Sequence, residues 1–81
     1  MHYVYIVRCS DDSLYTGYTI DIARRIDEHN NKKGAKCVMG KLPVKLAYEE
    51  SYATIKEALK REKEIKSWPR NKKIDLINTC S

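Results

Sequence analysis

Glycine is scarce in this sequence: 3 of 81 residues, with Gly17 standing inside a run of strand-forming side chains. A glycine there costs stability, so it marks a place where a backbone or a ligand comes close. No Cys-x-x-Cys pair occurs. Cys9, Cys37 and Cys80 are odd in number and widely spaced, which argues against a zinc site or a disulfide framework and for free thiols. No apolar run approaches the ~20 residues of a membrane span. The first residues lack the charged start and apolar core of a signal peptide, so a cytoplasmic location and no membrane partner are expected. Internal repeats and low-complexity segments are also lacking. What remains is the composition of a small globular domain with limited core volume and a net charge of +5, biased toward a polyanionic partner.

The first nineteen residues read as one β-hairpin. Tyr3–Cys9 and Leu14–Thr19 are rich in β-branched and aromatic side chains, and Ser10-Asp11-Asp12-Ser13 between them is turn chemistry. A two-residue loop would put Tyr5 and Tyr15 on opposite faces. A three-residue loop, Ser10-Asp11-Asp12, pairs Tyr15 with Val7 and puts both phenols on one face. Such a loop is a type I turn followed by a left-handed residue, here Asp12, and aspartate tolerates that region better than most. The three-residue loop is therefore expected.

Asp21 is placed to cap a helix over 22–32, with Ile22 and Ile26 as its apolar stripe. Arg25 and His29 complete the i, i+3, i+4, i+7 set and so turn toward the packing side. Asn30 to Pro43 is a polar loop, made basic by Lys32, Lys33, Lys36 and Lys41, of a kind suited to phosphate contacts. Val44 to Tyr52 alternates as a third strand, with Val44, Leu46, Tyr48 and Glu50 on one side. Thr54 and Glu57 form a capping box opening a helix to about Lys66. Its stripe is Ile55, Ala58, Leu59 and Ile65, and Glu62 completes it. A carboxylate there must find a cation, a metal or a hydrogen-bond donor. Arg25, Lys66 and open solvent are the plain alternatives to a metal. Ser67 is a plausible N-cap for a last helix, with Pro69 in its first turn and Ile74, Leu76 and Ile77 as its packing side. Arg70, Lys72 and Lys73 oppose the dipole at that helix start, which favours contact with anions over a stabilising role.

The expected fold is α/β (α+β) in the order β-β-α-β-α-α: one domain over residues 1–77, a three-stranded antiparallel sheet flanked by helices, with a tail at 78–81. Tyr5 and Tyr15, Arg25 and His29, and Glu62 each turn inward from separate elements. Phosphodiester cleavage uses these groups. A carboxylate binds Mg²⁺ or Mn²⁺, which polarises the phosphate, and arginine stabilises phosphoryl charge. A tyrosine or histidine moves the proton of an attacking water.

At these residues the chain resembles the GIY-YIG nuclease superfamily, most closely its short stand-alone single-domain bacterial branch. The signatures fall on Tyr3-Val4-Tyr5 and Tyr15-Thr16-Gly17. Arg25 follows Tyr15 by ten residues and His29 comes four later. The stretch Glu57-Ala58-Leu59-Lys60-Arg61-Glu62 is similar to the family segment whose last glutamate holds the metal. Tyr3 stands where the name motif has glycine, and Thr16 where it has isoleucine. The resemblance implies the family's antiparallel three-stranded α/β fold and metal-dependent hydrolysis of a nucleic-acid backbone. Under it, one of Tyr5 and Tyr15 orients or deprotonates water, Arg25 stabilises the transition state and His29 assists proton transfer. Glu62 ligates the metal, and Gly17 lets a backbone approach.

The expected activity is thus that of a divalent-metal endonuclease, with DNA as the expected polymer and Gly17, Lys32, Lys33, Lys36, Arg70, Lys72 and Lys73 as candidate contacts to it. Two other readings stay open: a module that binds nucleic acid without cutting it, and a nuclease subunit targeted by a protein partner.

Overall fold

The computed structural model describes residues 1–33 and 40–79. Gly34, Lys36, Cys37 and Cys80 lie outside these described residues. The elements are β1 (His2–Arg8), β2 (Leu14–Thr19), α1 (Ile22–Asn30), β3 (Lys45–Tyr52), α2 (Ile55–Lys66) and α3 (Arg70–Thr79). The three strands form one antiparallel sheet in the order β2-β1-β3. This is the architecture the sequence pattern predicts. The last helix continues to Thr79.

The hairpin has the three-residue loop. Val7 pairs with Tyr15 and Tyr5 with Gly17. Asp12 takes a φ of 70°, its N–H donates to the Cys9 carbonyl (2.9 Å), and the Cys9 N–H donates to the Ser13 carbonyl (2.8 Å). Alternation then sorts β1 into two faces. Tyr5 and Val7, with Cys9 and Val44, pack against Tyr15, Ile22, Ile26 and Leu42 on the α1 side. Val4 and Ile6 pack with Ala58 and Ile65, flanked by Tyr18, Tyr48, Tyr52, Trp68, Leu76 and Ile77, on the α2 and α3 side. Each such fully buried aliphatic side chain contributes about 1.5–3 kcal/mol.

Four local expectations are corrected. First, Val44, Leu46, Tyr48 and Glu50 do not share one face. A bulge between Ile6 and Val7 shifts the β1–β3 register, so Val44 packs on the α1 side and Tyr48 on the other. The strand itself starts at Lys45, and Val44 is held just before it by the Asn30 side chain. Asn30 accepts from the Val44 N–H (2.8 Å) and donates to its carbonyl (3.3 Å).

Second, Ile55 and Leu59 are not on the buried stripe of α2. They are 49% and 43% exposed, whereas Ala58 and Ile65 are fully buried. Seven residues separate that inner pair, and the positions between them on the inner side are Arg61 and Glu62. The buried row therefore contains charge and is masked as a hydrophobic pattern.

Third, α1 stops at Asn30, two residues before the expected end. The Lys32 N–H donates to the His29 carbonyl (3.1 Å) and the Lys33 N–H to the Glu28 carbonyl (2.7 Å). This is a Schellman motif whose left-handed position is Lys32, at φ 64°. Fourth, Ser67 caps the end of α2 rather than opening α3. Its hydroxyl donates to the Glu64 carbonyl (2.6 Å), and the Pro69 carbonyl receives the first bonds of α3. The predicted Asp21 cap is present, and Thr54 caps α2, accepting from the Glu57 N–H (3.3 Å), while the Glu57 carboxylate accepts from the Thr54 hydroxyl (2.9 Å).

Candidate active site

Three rings meet on the α1 side of the sheet. β1 supplies Tyr5, β2 supplies Tyr15 and the last turn of α1 supplies His29. Ring centroids lie 6.4 Å apart for Tyr5 and Tyr15, 6.1 Å for Tyr5 and His29, and 5.6 Å for Tyr15 and His29, the last edge-on. The hairpin register sets the first distance, and the helical spacing from Ile22 and Ile26 sets the other two.

Tyr5 is only 1% exposed, and its hydroxyl is hydrogen-bonded to His29 Nε2 at 3.0 Å. Its ring lies over its cross-strand partner. A Cβ at Gly17 would fall 2.5 Å from the phenolic oxygen and 2.6 Å from Cζ. The close approach that the lone strand glycine announced is thus made by Tyr5 itself, within the chain.

Burial raises the Tyr5 hydroxyl above the usual tyrosine range. The nearby Arg25 guanidinium works against this, while the Tyr15 and Glu62 neighbours add to it. Arg25 is in turn held protonated, first by its contact with the Tyr5 hydroxyl and then by Glu28, whose carboxylate lies 3.5 Å away. His29 has no exposed surface, and its Nδ1 has no hydrogen-bond partner among the described residues. Burial lowers its pKa and the Arg25 charge lowers it further, with Glu28 opposing, so the ring favours the neutral form. His29 therefore meets its surroundings through Tyr5. Tyr15 is partly exposed, whereas Tyr5 is buried.

Glu62 arrives from the opposite layer. α2 packs on the Val4 and Ile6 face, yet the side chain is only 19% exposed and its Oε2 lies 3.6 Å from Lys66 Nζ. The same ammonium lies 5.9 Å from the Tyr15 ring centroid. β2 is an outer strand, so its edge leaves room for this contact past the sheet. Of the partners weighed for Glu62, the ion pair is with Lys66; Arg25 pairs with Glu28. Among the described residues, no group of three or more His, Cys, Asp or Glu side chains could hold a metal. A lone carboxylate still suits Mg²⁺, which keeps several waters and is usually bound through one or two carboxylates plus substrate phosphate.

The basic candidates fall in two places. Lys32 and Lys33 are exposed at the end of α1, one turn beyond His29. At the start of α3, Arg70 is tied to Asp12 of the hairpin loop (3.3 Å), Lys72 sits 4.4 Å over the Trp68 ring and Lys73 is half-buried. Arg70 and Lys72 thus have partners inside the chain.

Sequence reasoning passed over one network on the other face. Glu50 accepts from Arg61 Nε (3.0 Å) and Nη2 (3.2 Å), from the Tyr52 hydroxyl (2.5 Å) and from the Tyr48 hydroxyl. Arg61 also pairs with Glu64 and lies 5.0 Å over Trp68. Burial alone would raise the Glu50 carboxyl, but the bonds from Arg61 and the two tyrosines hold it below its usual range. The available signal was Glu50 standing between Tyr48 and Tyr52 at strand spacing. Lys66 was visible only as the i+4 neighbour of Glu62.

Comparison with known proteins gives the family and the fold. The sequence model of the GIY-YIG catalytic domain matches residues 1–75, and a domain of that kind implies a nuclease-type function and an interaction with nucleic acid. The chain is 56% identical to a UPF0213 protein of Staphylococcus saprophyticus, over 95% of this chain and 94% of that protein. It is 55% identical to a UPF0213 protein of Staphylococcus aureus, over 94% and 93%. The solution NMR structure of a UPF0213 protein from Bacillus halodurans superposes with a TM-score of 0.63 at 44% identity, covering 96% of this chain and 83% of that one. That of an E. faecalis protein gives 0.65 at 38% identity, with the same coverage. No helix among the described residues is long and apolar enough to cross a membrane.

Proposed function

We propose that this chain, which belongs to the GIY-YIG family, is a metal-dependent endonuclease that hydrolyses phosphodiester bonds, with DNA as its substrate. The observation that carries the reading is the ring triangle of Tyr5, Tyr15 and His29, with Arg25 against it and the Glu62–Lys66 pair at its edge.

Tyr15 is the phenol with access to solvent, and it orients or deprotonates the attacking water. Tyr5 is buried, its hydroxyl is hydrogen-bonded to His29 and the Arg25 charge acts on it, so its part is to fix the ring cluster and steady the charge beside it. His29, neutral and enclosed, acts only through the Tyr5 hydroxyl. Arg25 has 28% of its side chain exposed, enough for its guanidinium to meet phosphoryl oxygens as charge builds on them. Glu62 would hold a divalent ion, Mg²⁺ or Mn²⁺, whose chemistry there is to polarise the phosphate and stabilise the leaving oxygen. Lys32 and Lys33 beyond α1, with Lys36, Arg70, Lys72 and Lys73, supply backbone contacts that position the strand without reading its bases. A protein partner would supply the targeting.

A nicking assay on plasmid DNA with Mg²⁺ or Mn²⁺ tests this, comparing the parent with Glu62→Ala. The parent cuts; the variant does not, yet still binds DNA in a salt-sensitive way. Equal cutting by both would defeat the role given to Glu62. Binding without cutting by the parent would leave a non-catalytic nucleic-acid module.

A further inference from the structure

We infer that Lys66 is a resident cation at Glu62, competing with a divalent ion for that carboxylate and leaving it when phosphate arrives. This rests on the reading of Glu62 as the metal-holding residue. Glu62 and Lys66 are one turn apart on α2, and Nζ lies 3.6 Å from Oε2. The carboxylate is 19% exposed, so this pair is screened less than an ordinary surface pair. The nearby guanidinium groups are engaged elsewhere: Arg25 with Glu28, Arg61 with Glu50 and Glu64. Lys66 is Glu62's one ion-pair partner among the described residues.

The ammonium also has a second seat. It lies 5.9 Å from the centroid of Tyr15, the phenol assigned to the water. Its own side chain is 48% exposed and ends on a flexible four-carbon stem, so it can swing while Glu62 stays. An ammonium and a divalent ion on one carboxylate repel each other, so either weakens the other. A phosphate oxygen that draws Lys66 away frees Glu62, and by linkage an ion at Glu62 frees Lys66 for the phosphate. Lys66 is then a positioning residue that couples substrate arrival to the readiness of Glu62.

The test is a Mn²⁺ titration of the free protein, followed by paramagnetic broadening of its backbone amide NMR signals, which needs no turnover. The proteins compared are the parent, Lys66→Met, Lys66→Gln, Lys66→Arg, Lys63→Met and Glu62→Gln. Lys63 is an exposed lysine of the same helix and controls for net charge. Broadening centred on Glu62 is expected in the parent and lost in Glu62→Gln. Both neutral Lys66 variants should reach half-broadening at roughly two- to five-fold lower Mn²⁺, while Lys66→Arg and Lys63→Met match the parent. If broadening at Glu62 is present but unchanged by the neutral Lys66 variants, or moved equally by Lys63→Met, the inference falls and the metal reading stands. If no variant shows broadening at Glu62, the metal reading falls and takes the inference with it.

Discussion

Tyr5 lies across its cross-strand partner Gly17 so closely that a single methyl at 17 would sit 2.5 Å from the phenolic oxygen. The ring cannot move aside freely, because its hydroxyl is bonded to the buried His29 and the residue is 1% exposed. Gly17→Ala should therefore push the phenol off His29 and out of the ring triangle. We expect a loss of about 1–3 kcal/mol in stability, typical of overpacking. Cleavage should fall about tenfold or more through lost positioning. Urea unfolding and the nicking assay measure the two effects. A variant that cuts as fast as the parent would show that the position of Tyr5 does not matter to the reaction.

His29 predicts a pH dependence with a definite sign. Its folded pKa is depressed below 6.5 by burial and by Arg25. The unfolded chain takes up a proton near 6.5 while the folded one does not. Stability from this residue is thus present above that pH and falls as pH drops below it, by at most about 1.4 kcal/mol per unit. Urea midpoints between pH 7 and 5 should show the slope, and His29→Gln should flatten it. An NMR titration of the parent ring should find His29 still neutral where a free histidine is half protonated.

The hairpin was legible because two independent signals agree on it: the period-two pattern fixes the faces and the Ser10-Asp11-Asp12 chemistry fixes the register. The caps of α1 and α2 were legible too, because one side chain and one N–H make the rule, whereas Ser67 closes α2 instead of opening α3. The bulge was not legible, since no glycine or proline marks it, and a one-residue slip there moved Tyr48 and Glu50 away from the face of Val44. The orientation of α2 was misread for a different reason. Its two outward apolar residues look like a stripe, while Arg61 and Glu62 occupy the inner side at the cost of needing partners. Those partners, Glu50 and Lys66, come from tertiary contact and helix-surface spacing rather than from hydrophobic period. Local spacing turned the candidate residues Tyr5, Tyr15, Arg25, His29 and Glu62 inward; what it did not show is that Glu62 arrives from the opposite layer of the sheet.

Arg61 carries the next prediction. Glu50 has only 15% of its side chain exposed and depends on Arg61 for two of its hydrogen bonds. Arg61→Met leaves the carboxylate with the two tyrosines alone and should cost about 3 kcal/mol. Adding Glu50→Gln removes the stranded charge and should recover a large part of that loss, a coupling that a double-mutant cycle in urea would measure. The pair also governs acid stability. Because the folded Glu50 carboxyl is held below 4.5, its contribution is present above that pH and lost as pH falls through the lower, folded value. The double variant should lose less stability than the parent on acidification.

Lys32 sets folding against binding. It holds the left-handed position of the Schellman motif, φ 64°, where glycine carries no side-chain penalty. Nothing in the local hydrogen bonding requires its side chain, which is exposed one turn beyond His29. Lys32→Gly should therefore stabilise the fold by about 1 kcal/mol, because the left-handed strain disappears and both capping bonds remain. If the ammonium meets a phosphate, the same change should weaken nucleic-acid binding about equally for all sequences. It should also lower the magnitude of the salt slope by about one. Thermal melting checks the first effect and binding isotherms at several salt concentrations the second. A more stable variant with an unchanged salt slope would place the strand's path away from the end of α1, and would leave the strain at Lys32 without a role in binding.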